Sequence, residues 1–167
     1  MSPQEIKDFI FEQIKTHIHD GNFSQRINFF DIFGYTEPLF IQSATVATTG
    51  NTDTYFIAPR AMTLVEAYFS GVEVLATSDT NYITWTVTNL GQVGTGTAAL
   101  LKSDNLNTTK ATGGAAIAAN TKRTLIVSTT PVDVTVNQGD RIRIRAAVTN
   151  TLANTVTFPV YQLIFQV

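Results

Sequence analysis

The feature that most constrains the fold is a series of short segments in which apolar and polar side chains alternate, as in strands with one buried face. The clearest segment is YITWTVTN at positions 82–89, where Ile83, Trp85 and Val87 fall on one face and the threonines on the other. The segment 62–70 is expected to alternate in the same way, with Leu64 and Ala67 on opposite faces. Further candidate strands lie at 54–57, 125–128, 132–136, 142–148 and 160–167.

Turn-forming residues separate these segments, among them Ser70-Gly71 and the sequence NQGD at positions 137–140. About seven or eight strands at this spacing predict a mainly β fold, an antiparallel β-sandwich or jelly roll. We place this domain at residues 39–167, after a short N-terminal α-helix and a neck at residues 1–38. The segment 89–120 is weakly patterned and is expected to form either exposed loops or weak edge strands.

The N-terminal segment carries the signals of a helix from about residue 3 to about residue 16. Ser2 is a suitable N-cap, Pro3 occupies the first helical position and Glu5 completes a capping box. Four apolar residues follow at helical spacing: Ile6, Phe9, Ile10 and Ile14. This stripe packs either on the β-domain of its own chain or against identical helices around a symmetry axis, where it would hold a trimer together.

His17 and His19 are the two histidines of the chain, which has no cysteine. A metal site within one chain normally needs at least three protein ligands, so this pair is incomplete by itself. In an extended segment residues i and i+2 point the same way, and three chains around a threefold axis would supply six imidazoles, enough for an octahedral metal. The alternative is a surface pair with no ligand role.

The stretch HIHDGNFSQRI at positions 17–27 resembles the HxHDGxxSxxI motif of trimeric virion proteins of tailed bacteriophages. The resemblance implies a capsid decoration, head-fibre or tail-fibre protein in which three chains hold an axial metal, usually iron, by such histidine pairs. The runs VTVNQGDRIRIRAAV and VYQLIFQV resemble jelly-roll domains of phage decoration proteins and fibre heads. The chain lacks a long repetitive shaft, which favours a short protein attached to a capsid.

Three arginines, Arg141, Arg143 and Arg145, alternate with isoleucines, so that one face of their strand is cationic. This face is expected to contact an anionic partner or to form an inter-subunit ladder with Asp140 or Asp133. The alternative is a solvated strand face that discourages edge aggregation. Without interleaved aromatic residues, the three arginines make a poor platform for nucleic acid.

Charged residues make up 14% of the chain, well below the roughly 25% of an ordinary soluble domain. The formal net charge of −2 gives no electrostatic reason to expect binding to nucleic acid or to an anionic membrane. The sequence shows no secretory signal and no apolar run long enough for a transmembrane helix. We therefore expect a protein made in the host cytoplasm and incorporated into a virion.

These observations predict a non-enzymatic homotrimer whose partners are its own copies and the major capsid or tail protein of a virus particle. An axial Fe or Zn shared by three chains is the expected cofactor. The alternative is a lectin-like module that binds carbohydrate, such as a host surface glycan, or another receptor; it would be favoured by exposure of Trp85 or Tyr82. A hydrolase would need convergent carboxylates, for which Glu66 and Glu73 are the weak candidates.

Overall fold

The computed structural model of the chain is described for residues 36–167, so the predicted N-terminal helix and histidine neck lie outside the described residues. The strands are β1 (Thr36–Gln42), β2 (Gly50–Ile57), β3 (Met62–Ser70), β4 (Tyr82–Asn89), β5 (Ala98–Ala99), β6 (Arg123–Leu125), β7 (Thr135–Val136), β8 (Arg141–Thr149) and β9 (Val160–Gln166). A 3-10 turn covers Asn105–Asn107, and a short helix, α1, covers Pro131–Val134. None of the helices among residues 36–167 has the length and apolar character needed to cross a membrane.

The strands form two antiparallel sheets with the orders β1-β9-β3-β6 and β2-β8-β4-β5, and β7 pairs with the start of β3. Strand β1 pairs with β9, β2 with β8, β3 with β6 and β7, and β4 with β5. The first four strands thus pair in reverse order with the later ones, as in a long hairpin rolled into two sheets. This is the topology of a jelly roll, and the predicted antiparallel sandwich is confirmed.

The core lies between the inner faces of the two sheets. The rings of Phe69 on β3 and Trp85 on β4 are 4.8 Å apart between centroids, and those of Phe56 on β2 and Phe165 on β9 are 6.1 Å apart. Each pair joins one sheet to the other. Trp85 is 1% exposed, so the predicted inward face of β4 is confirmed.

Strand β3 has the predicted bounds but not the predicted strict alternation. Its register against β9 shifts between Leu64 and Glu66, which marks a β-bulge at Val65. Because the bulge adds one residue, Leu64 and Ala67 both face the core and Val65 is exposed. The expectation that Leu64 and Ala67 lie on opposite faces was therefore wrong.

The segment 132–136 is not a continuous strand as predicted. Residues Pro131–Val134 form α1, and only Thr135–Val136 pair as β7. Thr130 precedes the helix in an extended conformation and Pro131 occupies its start, where the fixed φ of proline suits a first helical turn. The pair Thr130-Pro131, interpreted from sequence as a turn, begins a helix instead.

Candidate functional site

The cationic face predicted on β8 is present on the outer side of the β2-β8-β4-β5 sheet. Ile142 and Ile144 are buried, whereas Arg141 is exposed and Arg143 and Arg145 are half-buried. The register places Arg143 between Tyr55 of β2 and Thr88 of β4 and places Arg145 between Asp53 and Thr86. The three arginines therefore follow one another along the middle of an open sheet face.

Arg145 forms a bidentate ion pair with Asp53 across the two strands. Its Nε donates to Asp53 Oδ1 at 2.6 Å and its Nη2 donates to Oδ2 at 2.7 Å. This hydrogen bonding lowers the pKa of the Asp53 carboxyl and raises the pKa of Arg145. The positive charge of Arg145 is thus largely compensated inside the chain.

The two acidic residues considered for an inter-subunit ladder, Asp140 and Asp133, have hydrogen-bond partners within the chain. Asp140 is buried and accepts hydrogen bonds from the Asn89 side-chain amide at 2.8 Å and from the Asn137 backbone N–H at 2.9 Å. Asp133 accepts a hydrogen bond from the Ser128 hydroxyl at 3.1 Å. Asp140 thus bonds within the turn before β8, and Asp133 of α1 bonds to the segment that precedes the helix. The carboxylate that meets the arginine face was not identified from the sequence.

Arg141 and Arg143 differ from Arg145 and from each other. The guanidinium carbon of Arg141 lies 4.3 Å from the centroid of the exposed Tyr55 ring, a cation–π contact at the edge of the sheet. The Nε atom of Arg143 is buried and has no hydrogen-bond partner among the described residues. One arginine stacks on a ring, one is paired with a carboxylate, and Arg143 retains unused hydrogen-bonding capacity.

A groove of about 480 Å³ lies over β4 and β8 and includes this arginine. Its floor contains Thr84, Thr86 and Thr88 of β4 with Arg143 and Arg145 of β8. Its wall comes from the segment 99–110, which runs along the outer edge of β4. The segment 89–120, for which the sequence pattern predicted either loops or weak edge strands, thus supplies one side of the groove.

Internal hydrogen bonds hold the groove wall in place. The buried Asn107 side chain donates to the carbonyls of Lys102 at 2.8 Å and Ile126 at 2.9 Å, and accepts from the Ile126 N–H at 2.7 Å. Asp104 caps the 3-10 turn by accepting from the Leu106 N–H at 3.0 Å. Both partners of each bond belong to the chain, so the chain's own residues hold the wall in place.

Arg123 of β6 supports the wall from behind. Its guanidinium donates to the carbonyls of Leu106 at 2.8 Å and Thr108 at 2.5 Å, and it lies 4.7 Å from the Trp85 ring centroid. Burial lowers the pKa of Arg123 to about 10, which leaves it protonated at neutral pH. Sequence inspection missed this residue because the two wall carbonyls that it contacts lie 17 and 15 positions away.

The other cations that line the groove are engaged. Lys102 Nζ lies 3.2 Å from Asp104 Oδ2, and Lys110 Nζ lies 4.8 Å from the centroid of the Tyr82 ring. Within residues 36–167 Arg143 forms no salt bridge, although its charge contributes to lowering the pKa of Asp53. Arg143 is therefore the cation of the groove that is best placed to receive an anion.

Of the other site residues predicted from the sequence, Trp85 borders the groove, and the rest fall outside the groove or outside the described residues. Trp85 is buried, so its ring offers no exposed stacking platform. Glu66 accepts a hydrogen bond from the Tyr68 hydroxyl, and Glu73 accepts from the backbone N–H of Thr157 at 2.6 Å; neither lines the groove. In the part from Thr36 onward, no group of three or more His, Cys, Asp or Glu residues is arranged to hold a metal. The predicted metal ligands and trimerisation residues lie before the described part; they are His17, His19, Ile6, Phe9, Ile10 and Ile14.

No family model matches the sequence. No curated protein matches it either. Among solved structures, the chain is similar to a chain in the structure of infectious bursal disease virus, Gx strain, with 11% sequence identity and a TM-score of 0.33. The match covers 78% of this chain and 36% of that chain, so this chain spans about a third of its length.

Proposed function

We propose that the chain is a non-enzymatic structural protein of a virus particle that assembles as a homotrimer. In this proposal the N-terminal region attaches three chains to a capsid or tail protein, and the jelly rolls project outward. Jelly rolls occur in viral capsid domains and in lectins, but a fold does not by itself specify a function. The assignment therefore depends on the sequence that precedes the β-domain.

The histidine pair is the observation that carries the proposal. His17 and His19 are the chain's entire histidine content, and the stretch that contains them resembles a motif of trimeric phage virion proteins. Two imidazoles in one chain are too few for a typical protein metal site, whereas three chains supply a complete octahedral set. The pair is thus most readily explained by a threefold axis.

In such a trimer His17 and His19 of each chain would hold an axial Fe or Zn. The metal would fix the relative height of the three chains, while Ile6, Phe9, Ile10 and Ile14 would bury apolar surface around the same axis. Neutral imidazole is the metal ligand, so protonation competes with binding.

Metal analysis of the purified full-length chain tests this proposal. We expect about one Fe or Zn per three chains and loss of the metal in the double variant His17→Ala, His19→Ala. Gln25→Ala, in the same stretch but outside the motif, is the matched control and should keep the metal. Acidification below about pH 6 should release it, because imidazole protonates there. Equal metal content in the double variant and the control would overturn the metal neck.

A second candidate function, saccharide or receptor binding, is favoured by the groove over β4 and β8. Its threonine and asparagine lining offers neutral donors and acceptors on a side of the sheet that faces outward. This role is compatible with a structural protein that displays its β-domain on a particle. Comparing the binding of saccharides with that of unrelated small molecules of equal charge tests it.

A further inference from the structure

We propose that the groove over β4 and β8 binds a saccharide that carries one anionic group, a carboxylate or a phosphate, and that Arg143 receives this group. The inference deepens the second candidate function and does not depend on the trimer. It follows from three features of the groove: an arginine whose Nε has no partner among the described residues, a row of hydroxyls and a wall held by internal hydrogen bonds.

Arg143 supplies the charge. Its Nε is buried without a hydrogen-bond partner among the described residues, whereas the same atom of Arg145 donates to Asp53 at 2.6 Å. A buried donor without a partner loses its hydration without compensation. Arg143 also lines the groove, and the planar guanidinium of arginine suits carboxylate and phosphate oxygens in a bidentate arrangement.

The threonines of β4 supply the contacts for sugar hydroxyls. Thr84, Thr86 and Thr88 face the groove at alternate positions of one strand, so their hydroxyls recur about every 7 Å. Each hydroxyl can donate and accept, as a sugar hydroxyl can. Asn105 lines the opposite wall and adds an amide. An extended, uncharged row of this kind fits the polyhydroxylated part of a ligand.

The shape and the charge of the groove disfavour larger partners. Its volume of about 480 Å³ lies within the range of small-molecule sites. A nucleic acid would need several free cations and stacking aromatic rings, but two of the four cationic residues that line the groove are paired with carboxylates and a third contacts a tyrosine ring. The observations therefore favour one small anionic ligand.

Ligand-observed NMR on the full-length chain, with calorimetry where affinity allows, tests the proposal with three probes of similar size. The probes are glucuronic acid, glucose 6-phosphate and glucose. We expect both anionic sugars to bind at least about tenfold more tightly than glucose, since one charge-assisted hydrogen bond is worth that factor or more. The tighter of the two anions identifies the natural group as carboxylate or phosphate.

Variants on one strand separate the groove from general effects. Arg143→Gln should weaken binding of the anionic sugars by about tenfold or more and leave the weak binding of glucose unchanged. Arg141→Gln, on the same strand but outside the groove, should leave all three probes unchanged. Thr86→Val, which removes one hydroxyl at nearly constant volume, should weaken all three. Trp85 fluorescence checks that each variant is folded.

Three outcomes would overturn the proposal: glucose bound as tightly as the anionic sugars, Arg143→Gln bound like wild type, or no probe bound at about 50 mM, far above the dissociation constants of ordinary small-molecule sites. Mass and metal content measured on the same samples report on the trimer separately. Failure of the groove and failure of the assembly are therefore distinguishable.

Discussion

Asp53 and Arg145 face each other across β2 and β8 as a bidentate ion pair, with nitrogen–oxygen distances of 2.6 and 2.7 Å. The pair ties the edge strand β2 to the centre of its sheet. It also compensates the positive charge of Arg145, so that this charge is less available to a ligand. Arg143, two positions away on the same strand, forms no such pair among the described residues.

The first prediction concerns the energy of this pair. In a double-mutant cycle with Asp53→Asn and Arg145→Gln, we expect a coupling of about 1–2 kcal/mol, since both side chains are largely shielded and two charge-assisted bonds are lost. The control is Glu37 and Arg60, which are 3.7 Å apart and more exposed, for which we expect less than about 0.5 kcal/mol. Urea unfolding measures both cycles, and equal couplings would contradict the account.

The second prediction concerns pH. The folded chain holds the pKa of Asp53 below its ordinary value, chiefly through the hydrogen bond from Arg145. Its contribution to stability is therefore fully present above the unfolded pKa of about 3.9 and is lost as pH falls through the lower, folded pKa. The difference in unfolding free energy between wild type and Asp53→Asn should shrink over that acidic range. A difference that stays constant down to pH 2 would show that the carboxylate charge contributes nothing.

The third prediction compares the same substitution at a buried and an exposed phenylalanine. Phe69→Ala should cost about 3–5 kcal/mol, because Phe69 is 1% exposed and packs between Trp85 and Tyr161. Phe40→Ala should cost less than about 1 kcal/mol, because that ring is 65% exposed. Trp85, the single tryptophan, reports unfolding in both variants. Similar losses at the two sites would contradict the assignment of the core.

The sequence was sufficient to predict the strands whose pattern is local. The bounds of β3 and β4 and the inward face of Trp85 follow from alternation and turn residues alone. The bulge at Val65 was missed because period-two alternation assumes that no residue is inserted. Helix α1 was missed because a proline after threonine begins a turn or a helix with similar local signals.

The groove was harder to predict from the sequence than the strands were. The cationic face of β8 was predictable, since Arg143 and Arg145 alternate with buried isoleucines. The pairing of Arg145 with Asp53 requires the register between β2 and β8, which joins residues 92 positions apart. The wall depends on Asn107, whose side chain joins the wall to the backbone of Ile126, 19 positions away. Neither relationship leaves a local pattern.

The fourth prediction distinguishes the two interpretations of the N-terminal stripe. If Ile6, Phe9, Ile10 and Ile14 hold a trimer, Ile10→Asp should dissociate it and leave the unfolding midpoint of the β-domain unchanged, because a buried charge without a partner opposes association. Gln4→Asp, on the opposite face of the predicted helix, is the control and should leave the mass unchanged. A lowered midpoint at unchanged mass would indicate packing on the chain's own β-domain. Light scattering and thermal unfolding followed by Trp85 fluorescence measure the two effects.

The mass of the full-length chain in solution tests the proposed assembly most directly. Multi-angle light scattering across a range of concentrations should give three times the 18.2 kDa of one chain. The double variant His17→Ala, His19→Ala should dissociate more readily than wild type, because it lacks the axial metal. A wild-type mass of one chain at every concentration would contradict the account.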